Sequence, residues 1–191
     1  MYSQHDEEQS IIANTPEAGR FLDIGAFNAR QLSNTRALYE RGWSGVMVEP
    51  SPGPMRGLVA EYGTDDRMTL VAALVGQMRS LERLYVTDDA VSTVHRGNYE
   101  AWKADGGFIG SLFVPQLTVE DLINQFGSFE FVSIDAEGSS VSIFGWLLKT
   151  AMRPNCICVE HESKMHECLM LAQGAGYRLV LTTDENLVFA R

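Results

Sequence analysis

Cysteine is scarce, with only Cys156, Cys158 and Cys168 in 191 residues. So odd and sparse a count makes no disulfide framework, and it points to a reducing, cytoplasmic compartment. Cys156 and Cys158 alternate within the apolar run Cys156-Ile157-Cys158-Val159, which puts both thiols on one face of a buried strand. Two ligands at that spacing leave a zinc site short of partners, so core packing is the reading. Basic charge is also short: 15 Lys plus Arg face 25 Asp plus Glu, a formal net charge of −10. This balance argues against gripping nucleic acid or anionic lipid through a broad basic surface, although 12 of the 15 bases are Arg and could form a local patch. The acidic opening, residues 1–10, has no apolar run long enough for a signal peptide or membrane span. What remains is 45% hydrophobic and 21% charged, a globular profile. A chain of this length forms one domain and buries roughly 70% of its unfolded surface, which excludes intrinsic disorder and a miniprotein scaffold.

No repeat or low-complexity block interrupts the chain. The polar residues 1–19 are expected to be a lead-in, loose or holding a short surface helix, and 20–191 a single domain. Short apolar runs at 21–24, 45–48, 70–75, 129–134, 156–159, 177–181 and 187–190 predict strands. Between them, helical spacing covers 33–41, 54–62, 118–126, 139–149 and 163–172, the third opening with Thr118-x-x-Asp121, a relative of the capping box. Strict alternation implies a mostly parallel sheet with helices on both faces, ending in a hairpin across the polar turn 182–186. The stretch 76–117 breaks the pattern, with a strand expected at 84–86, the polar Thr87-Asp88-Asp89 and a Gly-rich run from Gly106 to Gly110. Too short for a core of its own, it reads as an insertion on the substrate side.

In an open parallel sheet the ligand lies beyond the carboxyl ends of the strands. The first strand ends in Asp23-Ile24-Gly25-Ala26-Phe27-Asn28, where Gly25 and Ala26 let a ligand approach the backbone. The second ends in Val48-Glu49-Pro50, and a carboxylate there can accept from both hydroxyls of a ribose. Together these describe a nucleoside-containing cofactor. A dinucleotide fold needs G-x-G-x-x-G, and Gly25 is the single glycine of the three here, which weakens a pyrophosphate. Asp23 would repel a phosphate but attract the ammonium of an amino-acid-bearing cofactor such as S-adenosylmethionine. Taken singly, Asp23 as a turn cap and Glu49 as a solvated strand end remain adequate readings.

Five segments carry a resemblance: Asp23-Ile24-Gly25-Ala26, Ser33-Asn34-Thr35, the run from Gly42 to Pro50, Ser133-Ile134-Asp135-Ala136-Glu137-Gly138 and Ile157-Cys158-Val159-Glu160-His161. In them the chain resembles the FkbM-type class I S-adenosylmethionine-dependent methyltransferases over nearly all of residues 20–191. The resemblance implies an α/β, Rossmann-like seven-stranded sheet, mostly parallel, with an antiparallel last strand. It also implies a cofactor pocket drawn from Asp23, Gly25, Ala26, Phe27, Asn28, Glu49, Pro50 and Asp135, with Ser33 near the methionine end and Ala72, Ala73 and Leu74 beside the adenine. Two positions depart from the family: Ala29 replaces a usual glycine, and Ser140 stands where many members carry an acid. Asp135 and Glu137 are then the carboxylates left at the end of the fourth strand.

Methyl transfer to a hydroxyl needs alignment and a way to remove a proton. Asp135, Glu137, Glu160 and His161 end neighbouring strands and could converge on one rim, where crowding would raise a carboxylate pKa, or a divalent cation could be held. His161 is either a general base or a histidine hydrogen-bonded at the strand end. Arg83, Arg96, Tyr99 and Trp102, in or beside the insertion, could bind a sugar or phosphate or simply decorate the surface. The expected activity is O-methylation of a small polar acceptor, a carbohydrate or glycosylated metabolite. A non-catalytic nucleoside-cofactor-binding module and an NAD(P)-dependent oxidoreductase are the alternatives.

Overall fold

The computed structural model describes residues 1–87, 92–103 and 107–191; Asp88, Asp89, Gly106 and the Trp102 side chain lie outside the described residues. The chain opens with α1 (Glu7–Ala13) and runs through β1 (Arg20–Ile24), α2 (Arg36–Glu40), β2 (Ser44–Val48), α3 (Pro52–Tyr62) and β3 (Met68–Val71). An excursion follows: β4 (Leu74–Val75), β5 (Ser80–Thr87), α4 (Arg96–Trp102) and β6 (Phe108–Leu117). The alternation resumes with α5 (Val119–Phe126), β7 (Phe131–Ile134), α6 (Ser140–Lys149), β8 (Cys156–Glu160) and α7 (Met165–Gly174). It ends in the hairpin of β9 (Arg178–Thr182) and β10 (Asn186–Ala190).

Seven strands form one sheet in the order β3-β2-β1-β7-β8-β10-β9, with β10 antiparallel to both neighbours and the other pairings parallel. This is the architecture the resemblance implies. The central strands are buried on both faces, which is why they read as continuous apolar runs. Alternate residues divide between two cores. Leu22, Ile24, Val132, Ile157 and Val159 pack with Val119, Leu122, Phe144 and Cys168 from α5, α6 and α7. Phe21, Met47, Phe131, Cys156 and Cys158 pack with Ile11, Leu38, Leu58 and Tyr62 from α1, α2 and α3. A fully buried side chain such as Phe21 contributes about 1.5–3 kcal/mol. Burial pushes the Cys156 thiol up to about 12, so it packs as a small hydrophobe. The Thr118 capping box forms: the Asp121 N–H donates to the Thr118 hydroxyl at 3.1 Å and the Thr118 N–H to the Asp121 carboxylate at 3.0 Å.

The strand expected at 70–75 is two. β3 stops at Val71, and β4 leaves to pair with β6 in a second sheet of order β4-β6-β5. Its strands β5 and β6 come from the stretch 76–117, and it has a small core of Leu84, Val86 and Val114. The ten-residue β6 escaped the apolar-run criterion because Gly110, Ser111, Pro115 and Gln116 interrupt it; pairing with β5 makes it a strand. Within residues 1–19, α1 buries Ile11 and the Glu7 carboxylate, which accepts from the Thr183 hydroxyl and the Asn186 amide at 3.1 and 3.0 Å. No described helix is long and apolar enough to cross a membrane.

Candidate active site

The strand order reverses direction between β1 and β7, and in such a sheet the crevice for a ligand opens there. Gly25 turns the chain out of β1 with a φ of +81° while its N–H donates to the Val48 carbonyl at 2.9 Å. A Cβ on Gly25 would lie 1.6 Å from the Asp135 carbonyl oxygen, so only glycine lets the chain leaving β1 pass this close to the end of β7. The loop brings Phe27, itself at a φ of +38°, close enough for its N–H to donate to one oxygen of Glu49 at 3.0 Å. The Ser51 N–H donates to the other at 2.6 Å. Glu49 is thereby fixed at the end of β2, with the Ser51 hydroxyl beside it as well. Burial raises its pKa despite those two donors.

The cavity above these turns is lined by Gly25, Phe27 and Leu32 after β1, Glu49, Pro50 and Ser51 after β2, and Ala73, Leu74 and Val75 after β3. Asp135, Ala136, Glu137 and Ser139 follow β7, and Leu84, Ser92, Thr93, Val94 and Gln116 come from the 76–117 stretch. A two-residue bridge between Tyr85 and Thr93 holds that stretch to its sheet, and His95 Nε2 meets the Ser139 hydroxyl at 3.2 Å, joining it to the loop after β7. Among the described lining residues there is no Lys, Arg or His.

The carboxyl groups at this end crowd one another. Glu137 is pushed up to about 7 by burial and by the charges of Glu160 and Glu162. Asp135 opens onto the cavity yet is hemmed in by protein; burial first, then Glu160 and Glu137, hold it well above the usual carboxylate range. Burial raises the neighbouring Glu160 as well, so the two carboxyl groups resist ionising together. Glu160 accepts from the Ser140 hydroxyl at 3.1 Å, and that hydroxyl accepts from the Ala136 N–H at 2.8 Å. Ser140, the departure from the family pattern, thus braces the loop that carries Asp135 and Glu137. Among the described residues no three His, Cys, Asp or Glu side chains are grouped to hold a metal ion, so no cation-assisted step is derived.

Of the residues expected from sequence, Gly25, Phe27, Glu49, Pro50, Ala73, Leu74, Asp135 and Glu137 share the cavity. Asp23, Ala26, Asn28, Ser33 and His161 are not among its lining. Asp23 lies beneath the floor, on the Phe21 face of β1, accepting from the Thr35 hydroxyl at 2.6 Å; burial pushes it up to about 6. Ala26 packs in the core, and Asn28 caps its own loop by accepting from the Arg30 and Gln31 N–H groups. Ser33 accepts from the Arg36 N–H at the start of α2. His161 is buried with Nδ1 accepting from the Ser163 N–H at 3.1 Å and Nε2 unpartnered among the described residues, so the structure does not bring it to Asp135 and Glu137 as a base. Sequence reasoning missed Gln4, Leu32 and the individual residues of the 76–117 stretch, since none stands in a motif. Arg83, Arg96 and Tyr99 do meet, in a second cavity with Tyr85 and Phe108. Arg83 and Tyr85 alternate with Leu84, which places that cavity on the opposite face of β5 from the first.

The chain matches the Methyltransferase FkbM domain family over residues 23–179. No curated protein matches it. Among solved structures it is similar to precorrin-6y C5,15-methyltransferase from Geobacter metallireducens GS-15, at 10% identity over all of this chain and 88% of that one, with a TM-score of 0.55. It is also similar to the O-methyltransferase from Bacillus cereus in complex with SAH, at 14% identity over 98% of this chain and 80% of that one, with a TM-score of 0.52. At those identities the likeness concerns the fold, a class I methyltransferase sheet. With the family match, the oxidoreductase and the non-catalytic module are set aside. The chain belongs to the FkbM methyltransferase family and is an S-adenosylmethionine-dependent enzyme.

Proposed function

We propose that this enzyme methylates a hydroxyl of a small polar acceptor, a carbohydrate or glycosylated metabolite, within the cavity at the ends of β1, β2, β3 and β7. The observation that carries the reading is the lining itself. One carboxylate, Glu49, is fixed at the cavity by the Phe27 and Ser51 N–H groups, apolar residues stand beside it, and two more carboxyl groups complete a wall with no side-chain cation among the described residues. These residues fit S-adenosylmethionine: Glu49 takes the two ribose hydroxyls, Ala73 and Leu74 flank the adenine, and the acids favour a positive sulfur. When bound, that cofactor supplies an electrophilic methyl group.

The protein's own part is positioning and proton removal. Glu137, with a pKa of about 7, is about half ionised at neutral pH and takes the proton of the acceptor hydroxyl. Asp135, whose pKa burial and the neighbouring Glu160 and Glu137 hold well above the usual carboxylate range, gives up its proton less readily and orients the acceptor instead. The Ser92 and Thr93 hydroxyls, which accept from the Thr87 and His95 N–H groups and keep their own protons to donate, and the Gln116 side-chain oxygen, whose amide nitrogen donates to the Met78 carbonyl, are the groups a sugar's hydroxyls pair with. A reducing, cytoplasmic setting suits the three free, buried thiols.

Calorimetric titration tests the cofactor placement: S-adenosylmethionine or its demethylated product binds the wild type and binds Glu49→Ala much more weakly. Tight binding of NAD with indifference to the sulfonium compound refutes it. Methyl-donor turnover against a panel of sugars tests the acceptor, and cofactor binding without product across the panel would remove carbohydrates from the reading.

A further inference from the structure

Residues 2–8 form a turn tied down from several directions. The Tyr2 N–H donates to Glu8 at 2.6 Å, and the Tyr2 carbonyl accepts from the Ser33 N–H at 3.0 Å. The Ser3 hydroxyl donates to the His5 carbonyl at 2.9 Å and accepts from the Glu8 N–H at 3.1 Å. The turn is anchored to the sheet by His5 Nε2 against Glu185 at 2.6 Å and by buried Glu7, which holds Thr183 and Asn186. Gln4, exposed to solvent, is the one residue of this segment that lines the cavity, and its carboxamide makes no hydrogen bond among the described residues. A backbone held this firmly presents the Gln4 side chain at the mouth of the cavity, where a ligand can replace the water on its carboxamide.

Position and chemistry then select which part of the ligand. Helix α1 packs against β8, β9 and β10, so the turn enters from the far side of β1, whereas Glu49, Ala73 and Leu74 follow β2 and β3. On the cofactor placement proposed above, on which this step rests, the amino-acid arm extends toward the turn. That arm carries an ammonium and a carboxylate. The lining has Glu49, Asp135 and Glu137 for a cation, but among its described residues no Lys, Arg or His for an anion. A carboxamide supplies two N–H donors without adding charge. We infer that Gln4 holds the α-carboxylate of the cofactor's amino-acid arm through its amide N–H groups and so positions the cofactor.

The test is calorimetric titration of wild type, Gln4→Ala and Gln4→Glu with two ligands: S-adenosylhomocysteine, and 5′-methylthioadenosine, which keeps the nucleoside and lacks the amino-acid arm. Losing a hydrogen bond to a charged group weakens S-adenosylhomocysteine binding to Gln4→Ala by about ten-fold or more, and Gln4→Glu weakens it further by repulsion. Methylthioadenosine binding stays as in wild type. Thermal midpoints also stay, because the Gln4 side chain holds nothing in the fold. Homocysteine-ligand affinity within about two-fold of wild type in Gln4→Ala, or an equal loss for both ligands, overturns the inference and leaves the cofactor placement standing. A wild type that binds neither ligand overturns both.

Discussion

Asp23 offers a test of the site's electrostatics that needs no substrate. The side chain is 5% exposed, lies under the cavity floor and is pushed up to about 6 from 3.8, first by burial and then by the charge of Glu49, against the opposing hydrogen bonds from Thr35 and Ser133. A carboxyl group whose pKa is higher in the folded state binds its proton more tightly there than in the unfolded chain. Stability therefore falls as the pH rises from about 4 through about 6 and is level above that. A shift of about two units corresponds to about 3 kcal/mol, with no discount for solvent because the group is enclosed, and about half of it is already lost at pH 5. Asp23→Asn keeps an oxygen to accept from Thr35 and is neutral at every pH. The variant should therefore gain on the wild type between about pH 5 and about pH 8, by about 1–2 kcal/mol. Urea unfolding of both proteins at the two pH values, with the m-values compared to confirm a common unfolded state, measures the difference. A gap that stays constant, or narrows at the higher pH, would refute the reasoning, because it would mean that Asp23 ionises in the fold as easily as in the open chain.

Three other outcomes follow from the same geometry. Activity should rise with pH through about 7 as Glu137 loses its proton. Glu137→Gln should flatten that limb and lower kcat by about a hundred-fold or more, whereas Glu160→Gln, by removing a like charge, should move the limb toward acid. Gly25→Ala should cost about 3 kcal/mol or more, read as a lowered denaturation midpoint, since the new Cβ meets the Asp135 carbonyl and the φ is positive; a variant as stable as wild type contradicts the close approach of the turn after β1 to the end of β7. Thr118→Ala removes the side-chain half of the capping box and should cost about 1 kcal/mol in the same measurement, with α5 the first segment to lose amide protection.

The sheet was legible because β1, β7 and β8 are buried on both faces and so appear as uninterrupted apolar runs. Alternation itself carried information about Asp23 that the motif obscured. As the neighbour of Leu22 and Ile24 it shares the Phe21 face, under the floor, while Gly25 and Glu49 stand past the last strand residue, where the pleat no longer dictates direction. His161, one residue beyond β8, follows its own local bond to Ser163 for the same reason. What stayed illegible depends on partners distant in sequence. β6 becomes a strand through its pairing with β5 and β4, and Gln4 reaches the cavity because Glu7 is buried against Thr183 and Asn186, residues about 180 positions away.

The acid surplus acquires a location in this structure. Among the described residues, every carboxyl group whose pKa is raised, namely Asp23, Glu49, Asp135, Glu137 and Glu160, stands at the carboxyl edge of the sheet. Those whose pKa is lowered, such as Asp65 and Asp121, are paired with arginines elsewhere. Each raised group costs folding stability near neutral pH, and a lysine or arginine in the cavity wall would relieve that cost at once. The described lining contains neither. An arrangement that keeps acids close and withholds every cation of its own is stabilised by a cation that arrives with a ligand, and a sulfonium is such a cation before transfer and ceases to be one after it. On the cofactor placement proposed above, the wall that draws the methyl donor in holds the spent thioether less firmly, and product release is favoured by the charge that methyl transfer removes.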